Sequence, residues 1–353
     1  MIRILFPYNI SEIDNEYVSR IIEILETEKN YQVTASLDEF WNTENPNTYQ
    51  YIIINWPDYL FNWRKDLTQN DIDKYLETVD FWQKKSAKIF IIRHDLYPHT
   101  HRTEFRIKLY DTANESANGI IHLGEYSQKE YFERYKNAQE QVHQIIPHPL
   151  YKVFDTSISK EFAKRKLNIP QNSFYLFAAG SIGKKEDYDR CLKILKTVSH
   201  SKKKLGMNIS GFLVKKPDRK KLFKFLVFKI KQIFNEKIRG VKTYHKFLPN
   251  DFLGLNVAAA DLIIISRTNT LNSGNVFLGS QFGKIIIGPD CGNIKEQLSY
   301  LDQIIYSHAA IDDTLKTLNE QIEDRNNPEF ESEVKNKIFT FSELFYIRPD
   351  IDR

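Results

Sequence analysis

The densest chemistry in the sequence lies between Asp261 and Pro289, DLIIISRTNTLNSGNVFLGSQFGKIIIGP. The apolar run Leu262–Ile265 has the continuous hydrophobicity of a strand buried on both faces. A polar loop follows, Arg267 to Asn272, and then Ser273-Gly274, which open a helix predicted over Asn275–Phe282. Gly283 ends that helix, and Lys284–Gly288 reads as the next strand. Strand, polar loop and helix start together suit an anion. The N–H groups of a first helical turn and the positive end of its dipole point at whatever binds there. Ser273 is placed to cap the helix, and Gly274 lets a phosphate approach the main chain. An ordinary βαβ unit with a capped helix carries the same pattern, so this stretch does not separate the two readings by itself.

The unit resembles the donor-sugar site of the GT-B glycosyltransferases, in particular those whose loop reads R-x-x-x-x-N-S-G. Arg267, Asn272, Ser273 and Gly274 match it, and Phe282-Gly283-Lys284, a strand and Gly288-Pro289 follow in the usual order. The GT4 family carries an E-x7-E pair here; this chain has Thr270 and Leu278 at those places. That departure points away from retaining GT4 chemistry, toward the GT4-like bacterial exopolysaccharide mannosyl- and glucuronosyltransferase type.

In open parallel sheets ligands lie beyond the carboxyl ends of the strands. The residues after the predicted strands of the second half are therefore donor-binding candidates: Gly180, Ser181, Lys184 and Lys185; Lys215; Phe247 and Leu248; and Arg267, Asn272, Ser273, Gly274 and Asn275. A nucleotide sugar, UDP- or GDP-linked, carries a diphosphate whose departure needs positive charge. Lys184 or Lys185, Arg267 and the Ser273-Gly274 amides would supply it, although solvation alone explains any single lysine. No G-x-G-x-x-G is present, and Gly180–Lys185 is too short between its glycines to be a P-loop.

In the first half, Arg93-His94-Asp95 with His99, and His122-Leu123-Gly124-Glu125, are the chemically rich loops. The segment IIRHDLYPH resembles the place where related transferases read H-N-x-x-P-H, with Asp95 where Asn is usual. An acceptor hydroxyl needs a base within hydrogen-bond reach, and Asp95, Glu125 and His94 are the catalytic candidates. A strand-end His or Asp also caps elements, which is the competing explanation. Trp56-Pro57-Asp58 is similar to the H-W-P-x segment of the same transferases. Aromatic faces suit sugar rings, and packing under the sheet accounts for them equally well. Trp56, Asp58, His99 and His122 form the acceptor-binding set. The histidines lack metal-ligand spacing, and neither metal nor cofactor is expected beyond the nucleotide sugar as substrate.

The elements that must position these groups alternate strand and helix along the 353 residues, which implies parallel, doubly wound sheets. Strands are predicted at Ile2–Phe6, Tyr31–Leu37, Tyr51–Asn55, Lys88–Ile92, Gly119–Leu123 and Val142–Ile146, and again from Phe174–Ala179 and Met207–Val214 onward. Pro147-His148-Pro149 breaks the alternation and resembles the lead into a GT-B linker. The implied fold is α/β, GT-B: two doubly wound Rossmann-like domains facing across a cleft. Residues 1–150 would bind acceptor, 151–335 the nucleotide sugar, and 336–353 would form a helix crossing back to the first domain.

Hydrophobic residues make up 41% of the chain, enough for real cores, and Cys191 and Cys291 are its only cysteines. That usage fits a reducing compartment. The amino-terminal strand is too short and interrupted for a signal peptide, and no apolar run would span a bilayer. A cytoplasmic protein is expected, at the inner face of a plasma membrane if its basic segment is read functionally. From Lys202 to Lys246 fifteen Lys or Arg face two acids, Asp218 and Glu236. Such a stretch suits an anionic membrane surface or forms the outer face of a flanking helix; no nucleic-acid module accompanies it. The resemblance implies transfer of a sugar to a saccharide or lipid-linked oligosaccharide acceptor in surface polysaccharide biosynthesis. A non-hydrolysing nucleotide-sugar epimerase on the same fold and a non-enzymatic basic binding protein are the alternatives.

Overall fold

The structure is a computed structural model that describes residues 1–9, 16–27, 30–98, 102–210, 222–245 and 248–343. Of the candidate residues, His99, Lys215 and Phe247 lie outside these segments. The described residues divide into two compact units. One holds residues 1–151 with 270–272 and 341–343; the other holds 152–269 with 273–340.

The first unit is built on a six-stranded sheet of β1 (Ile2–Phe6), β2 (Tyr31–Ala35), β3 (Tyr51–Asn55), β4 (Lys88–Arg93), β5 (Gly119–His122) and β6 (Val142–Ile145), in the order β2-β1-β3-β4-β5-β6. Every neighbouring pair is parallel. Parallel strands are covered by helices on both faces, which is why Ile52, Ile53 and Ile54 of β3, and Ile89, Phe90, Ile91 and Ile92 of β4, are all buried.

The second unit repeats the architecture with β7 (Phe174–Ile182), β8 (Lys203–Ile209), β9 (Val241–Tyr244), β10 (Leu262–Ile264), β11 (Ile285–Pro289) and β12 (Ile304–Tyr306), ordered β12-β11-β10-β7-β8-β9. Its pairs are also parallel. The order reverses between β7 and β10, and such a topological switch point opens a crevice beyond the carboxyl ends of the two strands. Each sheet has its own apolar core, one confined to the first 146 residues and one running from Leu176 to Val334.

Several boundaries differ from those predicted. β7 runs on to Ile182 instead of stopping at Ala179, with a register shift against β8 between Ala178 and Ser181. Gly180 at φ 89° makes the shift, a backbone state that side chains disfavour. Gly180 and Ser181 therefore belong to a bulged strand end, not to a loop after it. Tyr31–Leu37 is not one strand: β2 ends at Ala35 and a short helix, Leu37–Trp41, begins, its cap Ser36 accepting from the Glu39 amide at 3.1 Å. The helix after β5 spans Glu125–Arg134, which puts Glu125 in its first turn.

Candidate functional site

In the second unit the candidate groups meet at the β7–β10 switch point. The Asn275 amide Nδ2 donates to the Ala179 carbonyl at 3.0 Å, tying the helix Gly274–Gln281 to the end of β7. Arg267 Nη2 donates to the Ser181 carbonyl at 3.1 Å, and the Ser181 hydroxyl bonds that of Ser210 beyond β8 at 2.5 Å. The loop after β10 is fixed from behind as well. The Tyr306 hydroxyl donates to the Ile265 carbonyl at 2.9 Å, and Arg190 donates to the Ser266 carbonyl while pairing with Asp187 at 2.8 Å. A half-buried guanidinium and a helix start thus sit beside a bulged, glycine-bearing strand end. With helix N–H groups and a cation gathered beside this strand end, the arrangement can bind a diphosphate.

The other donor candidates are less uniform. Ser273 has the extended backbone of an N-cap, but its side chain makes no capping hydrogen bond, contrary to the expected cap. Lys184 is exposed and precedes the helix Lys185–Thr197, whereas Lys185 is ion-paired with Asp189 one turn on. Leu248 is buried at 8% exposure and packs ahead of the helix Asn250–Ala259. Asn272 groups with the first unit rather than the second: its Nδ2 donates to the His94 carbonyl at 2.6 Å and, more weakly, to that of Arg93 at 3.5 Å.

In the first unit the strand ends converge on an aromatic cluster. Trp56, just beyond β3, adopts a left-handed backbone at φ 55°, and its indole Nε1 donates to Asp95 Oδ2 at 3.2 Å. The ring of His94 lies 5.0 Å from that of Trp56 and 4.9 Å from that of Tyr17, and Tyr17 lies 4.6 Å from His148. His148 Nδ1 donates to the Pro149 carbonyl at 2.7 Å, and Tyr151 donates its hydroxyl proton to His148 Nε2 at 3.2 Å. Burial pushes the His148 imidazole down to about 3, against the bond to Pro149, so it is neutral. Asp95 is 6% exposed, His94 is half-buried, and Glu125 is exposed at the first turn of its helix. Tyr17 and His148 were not among the candidates. Tyr17 lies in an amphipathic helix, where an aromatic reads as core, and His148 reads as part of a Pro-rich break.

Two acceptor candidates turn out to be interior groups. Asp58 is 2% exposed, ion-paired with the equally buried Arg106, and accepts from the Tyr110 hydroxyl at 2.8 Å. Its carboxylate is taken up by these interior partners and does not line a surface. Burial raises its pKa against the opposing Tyr110 and Arg106. His122 is fully buried between Ser127 Oγ at 3.0 Å and His143 Nδ1 at 2.9 Å. His143 donates from Nε2 to the Ala138 carbonyl at 2.8 Å, so His122 donates to His143 and accepts from Ser127. Burial first, then Arg93 and His143, pushes the His122 imidazole down to about 2. Among the described residues no group of three or more His, Cys, Asp or Glu is arranged to hold a metal ion.

By sequence, no family model and no curated protein matches the chain. Its fold does match solved structures. The HepE protein of Anabaena, in complex with UDP-glucose, superposes at TM-score 0.64 over 98% of this chain and 96% of its own, at 14% identity. A sucrose-phosphate synthase from Thermosynechococcus elongatus gives 0.64 over 98% and 95%, at 13% identity. An Escherichia coli trehalose-6-phosphate structure bound to UDP-2-fluoro glucose gives 0.62 over 98% and 97%, at 10% identity. The fold is GT-B. Similarity at 10–14% identity is similarity of architecture, and it extends over nearly the whole chain.

Proposed function

We propose that this GT-B protein is a glycosyltransferase that moves a sugar from a nucleotide-linked donor to a saccharide acceptor. The observation that carries the reading is the β7–β10 switch point, beyond whose strand ends Gly180, Arg267 and the start of the helix Gly274–Gln281 come together. In this reading the second unit binds the nucleotide sugar. Arg267 and the first-turn N–H groups take the diphosphate, whose charge grows as the sugar leaves. Similar folds were solved with UDP-glucose or UDP-2-fluoro glucose bound, so a UDP-linked hexose is the first donor to test.

The first unit takes the acceptor. The acceptor hydroxyl oxygen forms the new bond to the sugar C1, the C1–O bond to phosphate breaks, and the nucleoside diphosphate leaves with the electron pair. The hydroxyl proton passes to Asp95, oriented by the Trp56 indole, with Glu125 as second candidate and His94 as third. Inversion is the stereochemistry we adopt, because Thr270 and Leu278 stand where retaining GT4 enzymes carry their glutamates. Trp63, 40% exposed and 5.8 Å from Trp56, offers a ring face to a sugar. The acceptor in this proposal is a lipid-linked saccharide of surface polysaccharide assembly, met at the inner face of the plasma membrane. Incubation with UDP- and GDP-sugars, with and without saccharide acceptors, tests the proposal: acceptor-dependent release of nucleoside diphosphate supports it.

A further inference from the structure

The helix Leu222–Ile238 carries large apolar side chains on the face away from the sheet as well as on the face against it. Phe223, Leu226, Ile230, Ile233, Phe234 and Ile238 recur at helical spacing along one face, and that face is exposed, with Phe223 at 78% and Ile230 and Ile238 at 68%. The face against the sheet carries Phe225 and Phe228 but also Gln232 and Asn235, both nearly fully buried. These amides are satisfied. Gln232 Nε2 donates to Thr243 Oγ1 at 3.0 Å and Asn235 Nδ2 to the Tyr188 hydroxyl at 3.3 Å. Packing against β8 and β9 therefore does not explain the stripe of large apolar side chains, and an exposed contiguous patch of this kind marks a contact surface.

The charges around the stripe say what it contacts. Glu236 is the helix's one acid, and it is turned inward to Thr243 and Gln232. At the carboxyl end of the stripe Ile238 also lines a cavity of about 700 Å³, walled by Lys196, Lys202, Lys203, Lys204 and Arg239 with no acidic residue. Lys203 Nζ is held by the carbonyls of Lys196 at 3.0 Å and Val198 at 2.6 Å. Lys196, Lys202 and Lys204 have no ion pair among the described residues. An apolar stripe running into an unbalanced cationic hollow is complementary to one kind of partner, an acyl layer faced with phosphates.

We infer that the helix Leu222–Ile238 and the adjoining cationic cavity form a membrane-docking edge of the second unit, with the apolar stripe lying in an anionic bilayer and the cavity seating lipid phosphates. The biological setting rests on the lipid-borne acceptor proposed above; the residues are separate from the nucleotide crevice. No helix among the described residues is long and apolar enough to cross a membrane, so this one lies along the surface. The test is flotation of the full chain with vesicles of phosphatidylcholine alone or mixed with phosphatidylglycerol. The parent should float with the mixed vesicles only, and less at high salt. Ile230→Ser/Phe234→Ser should lose most of that binding. Lys196→Glu/Lys202→Glu/Arg239→Glu should weaken partitioning by roughly a hundredfold, from about fivefold per charge. Both variants should keep the parent's melting temperature and its UDP affinity by calorimetry, which separates a failure here from a failure of the glycosyltransferase reading. Equal flotation with phosphatidylcholine alone, undiminished flotation of either variant, or a parent dimer that Ile230→Ser/Phe234→Ser converts to monomer would overturn the inference.

Discussion

Asn275 stands where a side chain on Gly180 would have to go: its Nδ2 lies 2.9 Å from an ideal Cβ position on that glycine, and Gly180 itself is at φ 89°. The same amide nitrogen donates to the Ala179 carbonyl. Helix start and strand end are thus fitted to each other only if position 180 is glycine. Gly180→Ala should cost about 1–3 kcal/mol of stability through the backbone state alone. Displacement of Asn275 should also weaken nucleoside diphosphate binding by about tenfold, equivalent to about 1.4 kcal/mol. Thermal melting and calorimetry on the one variant read both effects; a variant with parental affinity would separate Gly180 from the crevice.

Arg267 and Ser273 should contribute unequally. A hydrogen bond to a charged group contributes about 1.5–3 kcal/mol, so Arg267→Ala should lower UDP affinity by one to two orders of magnitude. Ser273 makes no side-chain capping bond. Its replacement by Ala should leave the melting temperature nearly unchanged and affinity within a few-fold, as calorimetry beside melting curves can show.

Asp95→Asn is nearly isosteric and should keep donor affinity while lowering turnover by about 10²–10⁴-fold, the range for loss of a general base. Glu125→Gln, on an exposed helix start, should stay close to parental turnover. The reverse result would move the proton acceptor to Glu125, and two active variants would exclude both.

Asp58→Ala should behave as a stability variant. Breaking a buried ion pair by removing one partner costs about 3–5 kcal/mol because the other charge, here Arg106, is left uncompensated. The denaturation midpoint should drop strongly. UDP affinity of the protein that remains folded should not change, since Asp58 lies in the first unit.

Acid should destabilise the protein through its buried imidazoles. His122 and His148 are pushed from 6.5 down to about 2 and about 3 by burial. Below about 6.5 the unfolded chain therefore binds protons that the folded one refuses. Their contribution is complete above that pH and lost progressively as pH falls. At pH 5 each should cost about 2 kcal/mol. His148→Gln should flatten the fall in melting temperature between pH 7 and pH 5; an unchanged slope would mean that His148 titrates normally.

The sheets were legible because both-face burial leaves short β-branched runs bounded by turn residues, as in Ile52–Ile54 and Ile285–Ile287. The loop from Arg267 to Gly274 was legible from its polar residues between strand and helix. The bulge at Gly180 was not: glycine after an apolar run reads as a stop, and only pairing with β8 shows that the strand resumes. Asp58 and His122 were misread because a polar residue near a strand end looks the same in sequence whether it faces solvent or is buried with Arg106 or Ser127. Periodicity likewise marks the helix Leu222–Ile238 as amphipathic without saying which face meets the sheet. Thr243 and Tyr188, distant in sequence, decide that by bonding Gln232 and Asn235.

In the proposed function the β7–β10 switch point binds a nucleotide sugar for transfer. Release of nucleoside diphosphate from UDP- and GDP-sugars, followed for the parent and Arg267→Ala with and without saccharide acceptor, tests it most directly. Acceptor-dependent release by the parent, reduced at least tenfold in Arg267→Ala, is the predicted result. No release with any donor, or acceptor-independent release with an epimerised sugar, would contradict it.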